Sequence, residues 1–311
     1  EQEKDRLERI IYSGIGPKIP GIAFATISLQ NGKSAIVIRI PRSWAAPHMV
    51  TYETRPSFYK RISSGKDPMD IIEIRDAFLL SETAIDRIRA FREERIEKIR
   101  DGNSEIAHID GPVFVAHLVP LDALRTGVLY DVSIAKQAPD AIKPAPHHNY
   151  FKSQYNFDGV VVFGNSISNA SCYNQIYRNG IIEWATTDIF DQHATRKYFF
   201  RGFEDIITKG ITIALDFQKR LGVSVPIFLL MSFLNIRGYT MQIRADHLTD
   251  TSIDNREQLH FPERVIESYE MDVEEMLKEN YHQVWQAAHK DCSYYLRDKN
   301  REQKKTKTEG S

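Results

Sequence analysis

Apolar and polar positions run along this chain with two periods, and the switches between them lay out its elements. Leu7, Ile10 and Ile11 fall on one face of a charged helical stretch over residues 3–12, which Gly14, Gly16 and Pro17 end. Two apolar runs, 22–29 and 34–40, flank Gln30-Asn31-Gly32-Lys33, and Asn-Gly between such runs is a strong hairpin signal. Pro41 and Pro47 bracket an irregular loop carrying Arg42, Ser43, Trp44 and His48. Residues 57–62 read as a short strand and 63–68 as a turn. Residues 70–100 read as one or two helices, with Ile85, Ile88, Phe91, Ile96 and Ile99 near helical spacing.

The second half opens on an apolar strand over 112–121, followed by a Pro-rich loop over 136–149 and a short buried strand over 160–163. Residues 172–178 and 181–187 predict a second hairpin about Asn179-Gly180. Its inferred register puts Tyr173, Tyr177, Ile182 and Trp184 on one face, with Arg178 and Glu183 as diagonal neighbours on the other. Phe203, Ile206, Ile207, Gly210, Ala214, Phe217 and Leu221 mark a long helix that Gly222 ends. Residues 225–235 and 239–243 read as strands. Asp272 with Glu275 predicts a capping box opening a last helix over 273–296. The expected fold is α+β in two parts, 1–104 and 105–296, each a mixed sheet with helices. A polar tail over 297–311 is expected to be disordered.

Composition narrows the function classes. Lys and Arg total 41 against 42 Asp and Glu in 311 residues, a net charge of −1, which excludes a polycationic tail but leaves a local basic patch open. Hydrophobic residues make up 42%, enough for a sizeable core. The two cysteines, Cys172 and Cys292, make neither a disulfide framework nor a zinc site by themselves. With no long apolar stretch and no signal-peptide pattern, a reduced, cytoplasmic setting is expected, with no membrane partner. The chain begins at Glu1 inside a helical pattern and reads as a fragment or an early truncation.

Charge gives the sharpest local feature. Seven basic residues, Lys33, Arg39, Arg42, Arg55, Lys60, Arg61 and Lys66, lie between 33 and 66, opposed only by Glu53. Trp44, Tyr52, Phe58 and Tyr59 are interleaved with them. Guanidinium forks suit phosphate oxygens and aromatic faces suit bases, so the segment reads as a nucleic-acid patch; the plainer alternative is a solvated sheet face with core aromatics. His147-His148 has no third ligand at metal spacing, and Asp70, Glu73 and Asp76 suit a helix start as well as a metal. No P-loop, dinucleotide fingerprint or Gly-x-Ser-x-Gly motif is present. No catalytic residue is assigned, and Cys172 reads as packing rather than a nucleophile.

These residues carry a resemblance. Ile19-Pro20-Gly21-Ile22, the Asn31-Gly32 hairpin, residues 36–43 (IVIRIPRS), Pro47-His48, Phe58-Tyr59-Lys60-Arg61, Ser63-Ser64-Gly65, Pro68-Met69 and Glu73-Ile74-Arg75 follow one another as in the bacterial Schlafen AlbA-like domain. The match covers about residues 5–80, the later half of that domain. Residues 158–159, 175–183 and 226–238 also resemble the region after it in some bacterial members. The resemblance implies a truncated AlbA-like mixed sheet, a DNA or RNA partner, and a regulatory or defence setting. It implies that Arg42, Ser43, His48, Tyr59, Lys60, Arg61 and Lys66 line the functional face. ATP enters only through an older family label. The family's opening Glu-Phe-Lys-like strand and its carboxylates have no counterpart here, so a nuclease or nucleotide hydrolase is the alternative that needs an upstream segment. A third reading is a ligand sensor whose site lies under the second hairpin, at Tyr173, Tyr177 and Trp184. Self-association stays open.

Overall fold

Helix starts and tight turns divide the chain much as its pattern predicts. The structure, a computed structural model, describes residues 2–293 except 20, 41–42, 44, 63–64, 103, 105–110, 126, 146–150, 165–169, 194–195, 244–250, 254 and 292. The predicted tail therefore lies outside the described residues. The first part holds α1 (Gln2–Gly14), β1 (Ile15–Gly16), the hairpin β2 (Ala23–Ser28) and β3 (Ser34–Arg39), then β4 (Met49–Tyr52), β5 (Arg55–Ile62) and β6 (Gly65–Pro68), and finally α2 (Ile71–Arg100). Strands β1, β4, β5 and β6 form one antiparallel sheet in that order, and β2–β3 stands as a separate pair. Residues 65–68, expected in a turn, are thus a strand; Pro68 is tolerated because β6 is an edge.

The acidic start of α2 is a capping box. Asp70 accepts from the Ile72 and Glu73 amides at 2.8 and 2.9 Å, and Glu73 accepts from the Asp70 amide at 3.0 Å. The cap uses Asp70 and Glu73, and α2 runs as one helix from Ile71 to Arg100.

The second part holds β7 (Val113–Pro120), α3 (Ser133–Gln137), β8 (Phe151–Tyr155), β9 (Gly159–Gly164), β10 (Cys172–Tyr177), β11 (Ile182–Thr186), β12 (Phe190–His193), β13 (Arg196–Phe199), α4 (Phe203–Arg220), β14 (Ile227–Leu234), β15 (Thr240–Met241), β16 (Thr251–Ser252), β17 (Gln258–His260), β18 (Arg264–Ile266) and α5 (Val273–Ala287). Its main sheet is antiparallel, in the order β17-β14-β7-β11-β10-β9-β8, with β18 also paired to β14. Both faces are covered. Phe114, Ala116 and Leu118 of β7 meet α4 and α5 on one side. Val113, Val115 and Val119 meet Ile88, Ile96 and Ile99 of α2 on the other. The last turns of α2 therefore belong to the core of the second part. The final helix is shorter than its pattern: it ends at Ala287, and His289 turns the chain at φ 59°.

The second hairpin corrects the inferred register. Cys172 pairs with Thr186 and Ile176 with Ile182, because the loop has three residues, Arg178-Asn179-Gly180, with Gly180 at φ 87°. One residue of slip moves a whole strand to the other face. Tyr173 and Tyr177 therefore share the α2 face with Glu183, whereas Ile182 and Trp184 face α4. The three residues Tyr173, Tyr177 and Trp184 lie on opposite sides of the sheet and cannot line one ligand site.

Among the described residues no helix is long and apolar enough to cross a membrane. A Cβ on Gly210 would sit 2.1 Å from the Trp184 ring. Gly210→Ala is expected to destabilise the protein by about 1–3 kcal/mol through overpacking, read as a lower urea midpoint with unchanged slope.

Candidate nucleic-acid interface

Strand alternation decides which side of the β4–β5–β6 sheet each side chain takes. On β5, Phe58 and Lys60 point to α2. The Phe58 ring meets Phe78 edge-to-face at 5.8 Å, and the Lys60 ammonium bonds the Glu73 carboxylate. That bond raises the Lys60 pKa and lowers that of Glu73. Asp67, directly across from Lys60 on β6, lies 3.8 Å from the same ammonium. Asp67 and Glu73 thus both lie on the helix side with Lys60.

The opposite face carries Arg55, Ser57, Tyr59 and Arg61 of β5. Register places Tyr52 beside Arg55 and Lys66 beside Arg61. The Lys66 ammonium sits over the Tyr59 ring, 4.4 Å from its centroid. Arg55, Arg61 and Lys66 are exposed, and among the described residues none has a carboxylate within ion-pair distance. The β4–β5 turn is tight: Glu53 and Thr54 take φ 47° and 67° without being glycine. Such residues cost about 1–2 kcal/mol each in this region, so the turn holds Tyr52 against Arg55 under strain.

Of the seven residues expected at the site, Tyr59, Arg61 and Lys66 come together on this face. Lys60 lies on the other side and is a structural ion pair. Ser43 is buried in the preceding loop, its Oγ accepting from the Ala45 amide at 3.1 Å. His48 donates through Nδ1 to the Pro17 carbonyl at 2.7 Å, so both polar side chains brace the loop rather than face outward. Arg42, like Trp44, lies outside the described residues. Arg55 and Tyr52 were missed as site residues, although period-two counting back from Arg61 through Tyr59 finds Arg55.

A second polar cluster has no signature in the residue pattern. Glu183 is fully buried in the middle of the large sheet. It accepts four hydrogen bonds: from Arg95 Nε (2.7 Å) and Nη2 (2.9 Å), His117 Nε2 (3.0 Å) and Tyr173 Oη (2.8 Å). Burial pushes its pKa up, but the hydrogen bonds from His117 and Arg95 and the guanidinium charge beside it outweigh this and hold the carboxyl at about 2. Every acceptor position is used, which leaves no place for a substrate. The cluster fastens α2 to the sheet.

Cys172 is buried, and desolvation lifts its thiol to about 12, which makes it a poor nucleophile. Cys292 lies outside the described residues. Among the described residues no three His, Cys, Asp or Glu side chains group as a metal site.

Arg95→Met and Glu183→Gln are each expected to cost about 3–5 kcal/mol in chemical denaturation, since each strands a buried partner. The Glu183 pKa is lower folded than unfolded, so its stabilisation is complete above about 4.5 and is lost as pH falls toward 2. Denaturation across that window should show a loss on the order of 3 kcal/mol that Glu183→Gln removes.

No family model matches this chain, and no curated protein or solved structure matches it.

Proposed function

We propose that this chain is a nucleic-acid-binding protein of the Schlafen AlbA-like type that takes backbone phosphates on the open face of the β4–β5–β6 sheet. The observation that carries the reading is the pairing of Arg61 with Lys66. Like charges directly across an antiparallel pair repel. The sheet nevertheless sends Asp67 to the helix side with Lys60 and leaves the two cations together. Apart from the Tyr59 ring under Lys66, no carboxylate among the described residues offsets this repulsion, and such a local conflict is expected where an external ligand supplies the missing charge. Arg55 extends the face about 20 Å along β5 from Arg61, at roughly 3.3 Å per residue. Cations strung along a strand suit a polyanion better than one small anion. The ordered motifs of residues 5–80 support the same reading.

Binding without catalysis is the form favoured here. The nearby carboxylates Asp70 and Glu73 are committed to the helix cap and to Lys60, so they are not poised to hold a metal for phosphodiester hydrolysis.

The test is fluorescence anisotropy with labelled DNA and RNA oligonucleotides across a salt series. Three phosphate contacts predict an affinity that falls with a log–log slope of about −2 to −3. The pair Arg61→Glu with Lys66→Glu should abolish binding. Lys60→Gln, on the helix side, should leave affinity within about twofold of the parent. Absence of binding at low salt would contradict the proposal.

A further inference from the structure

We infer that the ligand of this face is a single strand, with one base stacked on Tyr52; the inference rests on the nucleic-acid reading above. The aromatic residues of the basic segment have different fates. Phe58 is packed on Phe78, and the Tyr59 ring lies half-buried beneath Lys66. Tyr52 is 68% exposed at the end of β4. Its immediate neighbour across the turn is Arg55. No side chain among the described residues stacks on its ring or bonds its hydroxyl.

The tight turn fixes the backbone that carries this ring, so stacking on Tyr52 has only the side chain itself left to order. The bases of a duplex hide their faces in the helical stack, so only an unpaired strand offers a face to this ring. The order along the face fits: a ring and Arg55 at one end, then Tyr59 under Lys66, then Arg61. A short single strand can place a base on Tyr52 and run its phosphates past Arg55 to the Arg61–Lys66 pair. Stacking on an aromatic side chain tolerates any base, so sequence preference on this face is expected to be weak.

The experiment compares oligonucleotides of about 12 nucleotides as single-stranded DNA, single-stranded RNA and the matching duplex, by anisotropy at one salt concentration. The proteins are the parent chain, Tyr52→Phe, Tyr52→Ala and the Arg61→Glu, Lys66→Glu double variant, each checked by circular dichroism melting. Expected results are tighter binding of single strands than of duplex, and a loss of about five- to a hundredfold for single strands in Tyr52→Ala. Duplex affinity should be unchanged in that variant, and Tyr52→Phe should keep the parent's affinity. A preference between the two single strands would assign the sugar. Equal affinity for duplex, or single-strand binding that Tyr52→Ala leaves intact, would overturn the inference. If the double variant still lost binding in that case, the phosphate face would stand without the stacking ring. Binding of no oligonucleotide by the parent would overturn both.

Discussion

The buried ion pair between Arg95 and Glu183 is the constraint on which the arrangement of this molecule depends. Two charges taken out of water are costly unless geometry and hydrogen bonding are complete. Here the carboxylate is fully satisfied: the guanidinium is bidentate on it, and His117 and Tyr173 fill its remaining acceptor positions, while His117 Nδ1 is buried without a partner among the described residues. The reward is positional. Ridges of Ile88, Ile96 and Ile99 could slide along an apolar sheet, but a single buried carboxylate admits one placement of α2.

That placement reaches the basic face through one rigid element. Helix α2 has 30 residues, about 45 Å at 1.5 Å per residue. Its last turns dock on the large sheet, and its first turns carry Glu73 and Phe78, which hold Lys60 and Phe58. Ser43 and Pro47 apart, no described side chain before Ala84 is buried. The first part therefore has little apolar core of its own and takes its order from ladder hydrogen bonds and from the helix beneath it. A sheet so supported is expected to open locally more readily than the large sheet, where both faces are packed. It can also leave the cations of one face in solvent.

The sequence was most legible where one local rule decides an element. The apolar stripe of α4 from Phe203 to Phe217 and the Asn-Gly turns placed helix and hairpins correctly. It was least legible where a count of one residue matters. A two-residue loop at Asn179-Gly180 would have set Tyr177 opposite Ile182; the three-residue loop set it on the side of Glu183 instead. That slip concealed the Arg95–Glu183 clamp, whose members lie 88 residues apart and carry no joint signature. Short strands such as β6 and β18 were missed because they are specified by the partner strand rather than by their own pattern. At the basic face, charge density located the segment. Only the pleat separated Lys60 from Arg61, and only the register added Tyr52 and Arg55.

The clamp orders α2, and α2 in turn orders the basic sheet. Amide hydrogen exchange of the parent chain and of Glu183→Gln, followed by peptide over residues 49–100, tests it most directly. Faster exchange is expected over residues 84–99 in the variant, together with faster exchange over β4, β5 and β6, although none of those strands pairs with the Glu183 strand. Unchanged exchange over β4 to β6 while α2 loses protection would contradict it, because the basic sheet would then hold its structure without the helix.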